Sequence, residues 1–332
     1  GSTWPNTAGY IAGVGDINQD AKEDYLVGAS DSSVDGKTMN GAAYLVSGAD
    51  GSQLAVFTGE MNDDWFGTAV ACPGDLNLDG VNDFLIMAEN AVSGEGSVYA
   101  YSGADNTMLY SIPSPVIASR FGEDMVTVGD KDGDSIPDIA ISAPEAHGDH
   151  RGAVYLFSGA QGAVILDYWE GPTSNSRFGL NLAVTDVDTD GTLDLIIAAP
   201  NTSNGPWTES GSIFWVPNGY GMPAYILAEG EASGQALGIR VVVVEDVNSD
   251  AVKDIAAMDF NGQIHLFSGG GETIPLGSLL GSFSLGLAEY EMSDLIKMAP
   301  VGDFNGDGIG DLLVGRPDAG SDLLPPTGVS QI

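Results

Sequence analysis

The protein has 332 residues, with 47 acidic and 10 basic side chains and a formal net charge of -37. Such an acidic balance repels nucleic acid and anionic membrane surfaces, so cations are the expected partners and nucleic acid is excluded as a direct one. With 43% apolar residues, the chain is too hydrophobic to be a disordered acidic segment. No apolar run reaches the length of a membrane span, so direct membrane insertion is not expected. The single cysteine, Cys72, cannot form an internal disulfide.

A stretch of nine residues rich in aspartate recurs six times along the chain. Its copies begin 59, 55, 56, 60 and 57 residues apart, and this regularity indicates a repeat architecture. We predict a single domain, residues 1–332, with repeat units at approximately 1–60, 61–115, 116–172, 173–230, 231–285 and 286–332.

Each unit predicts four short strands in the same order. An apolar stretch precedes the acidic loop, and two apolar runs follow it, as in residues 139–144 and 153–159 of the third unit. A weaker fourth run closes the unit, as in residues 54–58. The runs are rich in aliphatic and aromatic residues and are bounded by Gly, Asp and Ser, which is typical of strands. We therefore predict an all-β fold, a β-propeller of four-stranded antiparallel blades with the acidic loop between strands 1 and 2.

Further motifs accompany the loop in several units. Phe-Gly precedes it at Phe66, Phe121 and Phe178, and Ala-Pro follows it at residues 143–144 and 199–200. Together with the strand Val-Tyr-Leu-Phe-Ser-Gly, these motifs resemble the FG-GAP repeats that form the propeller of integrin α subunits and of many bacterial surface proteins. The resemblance implies a propeller that serves adhesion or ligand recognition.

The resemblance is uneven along the chain. Phe-Gly becomes Leu237-Gly238 in the fifth unit and is absent from the first and last units. The last unit is short, because only residues 328–332 remain to supply another strand after residues 312–315. Six blades are the favoured prediction, and seven blades are the alternative.

Oxygen-bearing side chains occupy positions 1, 3, 5 and 9 of every loop, and position 7 offers a main-chain carbonyl in most copies. Hard oxygen ligands in a flexible loop suit Ca²⁺, and the loops contain no histidine or cysteine for zinc or copper. Without a cation, three or four carboxylates in one small loop would repel one another. We predict up to six structural Ca²⁺ ions, each held by ligands from one hairpin. The predicted metal ligands are Asp16, Asn18, Asp20, Lys22 and Asp24; Asp75, Asn77, Asp79, Val81 and Asp83; Asp130, Asp132, Asp134, Ile136 and Asp138; Asp186, Asp188, Asp190, Thr192 and Asp194; Asp246, Asn248, Asp250, Val252 and Asp254; and Asp303, Asn305, Asp307, Ile309 and Asp311.

Two other interpretations of the loops are available. An EF-hand needs a glutamate at position 12 and flanking helices, but position 12 is apolar in every copy and lies in a strand-like run. Hairpin turns without a metal are the other alternative, since Asp and Asn favour turns.

The six loops differ in ways that predict different affinities. The loop at Asp186 has four carboxylates and Gly191 at position 6, so we expect it to bind Ca²⁺ most tightly. Position 6 is occupied by Ala21 and Ala251 in the loops that begin at Asp16 and Asp246, and by Ser135 in another. If the turn requires a positive φ there, these residues carry strain. The loops at Asp16 and Asp246 also have only three carboxylates and should bind most weakly.

Candidate ligand contacts lie in the connections on the face opposite the predicted calcium loops, where loops on a rigid scaffold usually carry binding. We place Trp65 and Trp169 between strand 4 and the next strand 1, and Trp207 between strands 2 and 3. Exposed tryptophans suit stacking on sugars or a protein hot spot, whereas packing between blades is the alternative. A second candidate is the polar cluster His147, Asp149, His150 and Arg151, as a site for an anion, a metal or a substrate; such a cluster is more often a solvated polar loop, which is the alternative.

The favoured hypothesis is a non-catalytic adhesion module that is stabilised by calcium and binds a protein or a glycan. Millimolar calcium is an extracellular condition, which predicts a secreted or cell-surface location. The alternatives are a lyase or hydrolase that acts on polysaccharide in the central depression, and a structural spacer of a larger surface protein. We find no His-Glu-x-x-His, Gly-x-Ser-x-Gly or phosphate-loop motif, so no catalytic residue is assigned.

Overall fold

The computed structural model describes residues 10–117, 119–270, 275–285, 297–304, 306 and 310–315. These residues form five four-stranded antiparallel sheets and one two-stranded sheet. The chain divides into two compact units, Gly1–Glu170 and Gly171–Ile332. The predicted all-β class and the four-stranded antiparallel blade are confirmed, and the sheets are called blades 1 to 5 in chain order.

The first unit contains blades 1, 2 and 3, and in each blade the strands are hydrogen-bonded in chain order. A single turn of helix, α1 (Ala91–Gly94), lies between strands 2 and 3 of blade 2. The strands are β1 (Tyr10–Gly15), β2 (Asp24–Ala29), β3 (Ala42–Val46), β4 (Gln53–Thr58), β5 (Phe66–Gly74), β6 (Asp83–Ala88), β7 (Ser97–Tyr101), β8 (Met108–Pro113), β9 (Met125–Gly129), β10 (Asp138–Ala143), β11 (Ala153–Phe157) and β12 (Ile165–Glu170).

The second unit contains blades 4 and 5 and a final strand pair. A short 3₁₀ turn, Pro217–Gly219, follows strand 3 of blade 4. The strands are β13 (Leu182–Thr185), β14 (Asp194–Ala199), β15 (Ser212–Val216), β16 (Tyr225–Glu229), β17 (Arg240–Val244), β18 (Asp254–Met258), β19 (Gln263–Phe267), β20 (Leu279–Ser284), β21 (Lys297–Pro300) and β22 (Leu312–Gly315).

Burial differs systematically across each blade. Every residue of β6, β10 and β14 is buried, which explains why these strands are continuous apolar runs without alternation. The outermost strands β8 and β12 instead expose most of their residues in part or in full. The second strand is therefore the core of blades 2 to 4, and the fourth strand faces solvent in blades 2 and 3.

The Phe-Gly motif fixes the start of strand 1 in the blade. Phe66 is buried, and its ring centroid lies 5.7 Å from that of Tyr99 on strand 3 of the same blade. Gly67 has φ +90°, and a Cβ atom at this residue would lie 2.3 Å from the carbonyl oxygen of Ala42. Only glycine allows the backbones to approach so closely.

The sixth repeat is described only in part. Strands β21 and β22 pair antiparallel and flank the last acidic loop, as a first and second strand should. The strand considered for residues 328–332 lies outside the described residues. Among the described residues, no helix combines the length and the apolar character needed to span a membrane.

Candidate metal centres and ligand face

The aspartate at position 9 of each acidic loop begins strand 2 and is fully buried in blades 1 to 5. In blade 2, Asp83 Oδ2 accepts a hydrogen bond of 2.7 Å from the N–H of Leu76, at position 2 of the loop. Its Oδ1 accepts one of 3.0 Å from the N–H of Gly103, in the hairpin between strands 3 and 4. The same two-sided contact is made by Asp24, Asp138, Asp194 and Asp254.

These buried carboxylates join the acidic loop to the neighbouring hairpin. Burial raises the pKa of Asp83, Asp138, Asp194 and Asp254, although two N–H donors on each carboxylate oppose that rise. A nearby cation would oppose the rise further, because it favours the charged form.

The side chains at positions 1, 3 and 5 of an acidic loop accept hydrogen bonds from backbone N–H groups of the same loop. In blade 2, Asp75 accepts hydrogen bonds from the N–H groups of Asp79 (3.1 Å) and Gly80 (2.7 Å). Asn77 Oδ1 accepts one of 2.9 Å from the N–H of Asp79, whose own Oδ1 accepts one of 2.9 Å from the N–H of Val81. The acidic side chains therefore shape the turn that holds them. In the other loops, position 5 accepts in the same way from the N–H group at position 7, which belongs to Lys22, Ile136, Thr192 and Val252.

Carboxylate oxygens converge most closely in two loops. Oxygen atoms of Asp130, Asp132 and Asp138 lie within 4.8 Å of one another, and so do those of Asp186, Asp188 and Asp194. These are the two loops in which aspartates occupy positions 1, 3, 5 and 9.

In the Asp186 loop, one carboxylate oxygen is left without a partner. Asp186 Oδ2 accepts a hydrogen bond of 3.0 Å from the N–H of Gly191. Asp186 Oδ1 is buried and has no hydrogen-bond partner. A buried carboxylate oxygen without a donor is unfavourable, and a cation among the three carboxylates would compensate it. The donor set contains only oxygen, which fits a hard divalent ion.

The backbone at position 6 is left-handed in all five loops of blades 1 to 5. Gly80 and Gly191 both have φ +89°, which glycine adopts freely. Ala21 (+65°), Ser135 (+73°) and Ala251 (+71°) adopt the same region with a side chain present. The condition of the prediction, a positive φ at position 6, is therefore met, and strain at these three residues stays a prediction.

A serine from the next hairpin also reaches the acidic loop, a contact that the loop sequences alone did not indicate. Ser47, Ser102 and Ser268 follow strand 3 and donate through Oγ to the position-5 carboxylates of Asp20, Asp79 and Asp250. The distances are 3.4, 3.3 and 3.5 Å. Two hairpins therefore shape the site, although the predicted ligands belong to one. The Ser-Gly pair that recurs after strand 3 is the sequence signal from which this contact could have been predicted.

The sixth loop is only partly within the described residues. Asp311 Oδ2 accepts a hydrogen bond of 2.8 Å from the N–H of Phe304, as position 9 does in the other loops. Asp303 Oδ1 accepts one of 2.6 Å from the N–H of Gly306. The predicted ligands Asn305, Asp307 and Ile309 lie outside the described residues.

The three tryptophans selected as ligand contacts have different environments. Trp65 lies between β4 and β5 with 37% of its surface exposed, and Trp207 lies between β14 and β15 with 44% exposed. Trp169 was expected in a connection, but this placement is wrong. It lies within β12, opposite Val154, and is buried. Its place in an edge strand whose inner face packs on the blade explains the burial.

The polar cluster at residues 147–151 is held by internal ion pairs. The guanidinium of Arg151 contacts Asp149, with 2.8 Å between Nη2 and Oδ2. Nε2 of His147 lies 3.4 Å from Oε1 of Glu170. His150 is more than half exposed. The arginine is already neutralised by Asp149, so the cluster is not a ready anion site.

Comparisons with known proteins agree with this repeat geometry. The FG-GAP repeat pattern matches residues 125–157, 178–214 and 299–331. The first two matches run from strand 1 through the acidic loop to strand 3 of blades 3 and 4. The resemblance to FG-GAP repeats is therefore confirmed.

Curated relatives are integrin α chains. The chain is 34% identical to integrin alpha-5 of Xenopus laevis over 212 residues, which is 58% of this chain and 20% of that relative. Identity is 31% over 208 residues with integrin alpha-4 of Xenopus laevis and 30% over 209 residues with integrin alpha-V of Gallus gallus. These alignments cover 58% of this chain in both cases, and 19% and 20% of the two relatives. The chain thus matches about a fifth of the length of these integrin α chains.

Solved structures share the fold at much lower identity. BBS1N, in a crystal of its complex with ARL6DN soaked with lead, matches with a TM-score of 0.53 and 11% identity over 94% of this chain and 75% of that chain. The crystal soaked with mercury gives a TM-score of 0.54 and 12% identity over 92% and 76% of the two chains. This chain is therefore an all-β protein of propeller blades with FG-GAP repeats, similar to the integrin α chains.

Proposed function

We propose that this chain is an extracellular, calcium-stabilised propeller module that binds a protein ligand and does not catalyse a reaction. The likeness to integrin α chains supports adhesion or ligand recognition, and the FG-GAP matches include the acidic loops. Six Ca²⁺ ions, each with two positive charges, would reduce the formal net charge from -37 to about -25. The absence of a recognised catalytic motif in the sequence is consistent with a binding role.

The observation that carries the calcium proposal is the buried, unpartnered Oδ1 of Asp186. It lies in a loop where three carboxylates converge, beside the buried Asp194. Asp186, Asp188, Asp190 and Asp194, with the main-chain carbonyl of Thr192, would hold the ion. The bound ion would offset the repulsion among carboxylates and couple folding of the hairpin to metal.

Thermal unfolding of the chelated protein in Ca²⁺, in Mg²⁺ and in neither tests this proposal. Ca²⁺ should raise the melting temperature more than Mg²⁺, because the loops supply many flexible oxygen ligands. Asp186→Asn should weaken the tightest binding step seen by calorimetry, while Glu95→Gln, an exposed acid outside the loops, should not. Equal melting curves in all three buffers, with no heat of binding, would refute the calcium proposal.

The order in which the loops fill is a further test. We expect the Asp186 loop to retain Ca²⁺ longest during chelation and the loops at Asp16 and Asp246 to lose it first. The latter have three carboxylates each and alanine at a left-handed position. Single Asp→Asn variants at positions 16, 186 and 246, titrated by calorimetry, assign each step. If Asp186→Asn removes the weakest step, the proposed order is wrong.

We place the protein ligand on the connections from strand 2 to 3 and from strand 4 to the next strand 1. In the first unit, the exposed anchor is Trp65, and the loop with His147, Asp149, His150 and Arg151 is the connection from strand 2 to 3 of blade 3. In the second unit, the exposed anchor is Trp207. Trp169 is not retained, because it is buried.

Arrays of proteins and of glycans, probed with labelled chain in calcium and in chelator, test this binding role. Calcium-dependent binding to a protein that is weakened by Trp65→Ala supports the proposal. Binding to glycans alone would contradict the ligand class, and cleavage of an arrayed polysaccharide would instead favour an enzyme.

A further inference from the structure

Blade 5 departs from the repeat at two residues that touch each other. Asp259 occupies the sixth position counted from the start of strand 2, where the other four blades have a buried alanine, at residues 29, 88, 143 and 199. His265 occupies the third position of strand 3, where the other blades have Tyr44, Tyr99, Tyr155 and Phe214. The register confirms the equivalence, because Ala257 pairs with His265 as Val27 pairs with Tyr44.

The two substituted residues form a buried pair. Nε2 of His265 lies 3.0 Å from Oδ2 of Asp259, and both residues are buried. Asp259 Oδ1 accepts hydrogen bonds from the N–H groups of Asn261 (2.9 Å) and Gln263 (3.1 Å). The Asp259 carboxylate therefore holds the His265 ring through Nε2, and two backbone N–H groups hold the carboxylate in turn. A buried ionisable pair in place of alanine and tyrosine adds little stability of its own, which suggests a functional reason for it.

A cleft lies beside His265, in a blade whose connection from strand 2 to 3 is shorter than those of its neighbours. The connection from strand 2 to 3 has four residues, 259–262, whereas it has 8 to 12 residues in blades 1 to 4. Leu237 also replaces the phenylalanine of the Phe-Gly motif. The cleft lies in the second unit and has a volume of about 820 Å³, within the range of small-molecule sites.

The chemistry of the cleft wall is acidic and aromatic. Trp207 forms one side, Glu229 and Glu231 provide carboxylates, and His265 and Ser282 contribute a ring and a hydroxyl. Trp207, Glu229 and Glu231 are all exposed. Among the described residues that line the cleft there is no lysine or arginine.

We infer that this cleft binds an alkylammonium group, either the lysine side chain of a partner protein or a free polyamine. The indole of Trp207 offers a cation–π surface, and the carboxylates of Glu229 and Glu231 offer charge-assisted acceptors. His265, held through Nε2 by Asp259, adds a fixed ring to the cleft wall. The apolar part of the ligand would lie on Ile226 and Leu279.

The inference rests on the proposed binding role of Trp207 and adds a ligand class that does not depend on the calcium loops. The experiment is calorimetric titration of the full chain, saturated with Ca²⁺, with cadaverine and with a short acetylated peptide that contains one lysine. Neutral 1,5-pentanediol is the matched probe for cadaverine, and the same peptide with norleucine is the matched probe for lysine. Ca²⁺ saturation keeps the acidic loops from competing for the amines.

Two variants test the site and one controls for general effects. Trp207→Ala should weaken amine binding about tenfold through the lost cation–π contact. The double change Asp259→Ala with His265→Tyr restores the residues of the other blades, so it should fold, fill the cleft and abolish binding. Trp65→Ala, at a tryptophan of similar exposure in the first unit, should leave amine binding unchanged.

The outcomes distinguish a partner's lysine from a free polyamine as the ligand. They also distinguish a failure of this inference from a failure of the proposed calcium-stabilised module. Tighter binding of the peptide identifies a partner's lysine as the ligand, and tighter binding of cadaverine identifies a free polyamine. Binding of neither amine, or equal binding of the neutral probes, overturns the inference. The inference is also overturned if Trp65→Ala weakens amine binding as much as Trp207→Ala does. In each of these cases Ca²⁺ should still raise the melting temperature of the protein. The proposed calcium-stabilised module would therefore stand even if the cleft binds no amine.

Discussion

At the scale of single residues, position 6 of the acidic loops shows how a turn can demand one backbone angle from different side chains. Gly191 and Ala251 stand at equivalent positions with φ +89° and +71°. A Cβ atom at Gly191 would meet no atom within 4 Å, so a side chain there would not clash with the surrounding protein. The cost of alanine at position 6 therefore comes from its own backbone conformation. Alanine in this region is strained by about 1 to 2 kcal/mol relative to glycine.

We expect Ala251→Gly to raise the free energy of unfolding by roughly 0.5 to 1 kcal/mol, because it releases this strain and more than offsets the added freedom of the unfolded chain. Urea unfolding of the chain with and without Ca²⁺ measures the change. Ca²⁺ should also bind this loop more tightly in the variant.

Two reciprocal changes control the experiment. Gly191→Ala should lower the free energy of unfolding by about 1 kcal/mol, since it introduces the same strain. Ala49→Gly, at a residue of ordinary φ in a hairpin, should also lower it. If Ala251→Gly destabilises as Ala49→Gly does, strain at position 6 is absent.

The tryptophans show the limit of prediction at this scale. Trp65 and Trp207 were correctly placed in connections, but Trp169 proved to be a buried residue of β12. The end of a fourth strand carries a weak sequence signal, since such strands are half exposed and short. Which side of the strand a residue faces depends on register, and register is set by pairing with strand 3.

At the scale of elements, the position-9 aspartate and the strand 3–4 hairpin act as one unit. Asp83 accepts from Gly103 as well as from its own loop. A Cβ atom at Gly103 would lie 2.0 Å from the carbonyl oxygen of Asn82, so the hairpin approaches this closely only through glycine. The Ser-Gly pair after strand 3 is therefore part of the acidic-loop site in the folded protein, although Gly103 and Asp83 are 20 residues apart in sequence.

Gly103→Ala should destabilise the protein by roughly 2 to 4 kcal/mol, because it displaces the hairpin and leaves the buried Asp83 with one donor fewer. Denaturant unfolding measures this loss. Ca²⁺ affinity of the Asp75 loop should fall in parallel, since Asp83 is one of its predicted ligands.

The matched control is Gly51→Ala in the equivalent hairpin of blade 1. Gly51 has φ +72°, and a Cβ atom there would have no neighbour within 4 Å, so only the conformational penalty of about 1 kcal/mol is expected. A loss at Gly103 no larger than that at Gly51 would show that the hairpin contact does not matter.

At the scale of the whole molecule, buried phenols make the protein sensitive to alkali. Burial raises the pKa of Tyr101 and of Tyr155 to about 12. An unfolded tyrosine ionises near pH 10, so between about pH 10 and 12 the unfolded chain loses protons that the folded chain keeps. The stabilising contribution is complete below about pH 10 and is lost as the pH rises through this window.

We therefore expect the free energy of unfolding to fall between about pH 10 and 12, and phenol absorbance to rise late in the folded protein. Tyr155→Phe should reduce the slope of that fall at constant ionic strength. An unchanged slope would mean that general repulsion among the acidic groups, and not the buried phenols, causes the loss.

The repeat, the all-β class, the four strands of blades 1 to 5 and the positions of the acidic loops could all be predicted from the amino-acid sequence. These features are local, because strand patterns and turns depend on contiguous residues, and the same pattern recurs in each repeat. Three features became visible only in the folded protein: the hairpin that completes each loop, the burial of Trp169, and the contact between Asp259 and His265 beside a cleft. Those outcomes depend on pairing between segments far apart in the chain, and such pairing is set by packing and register.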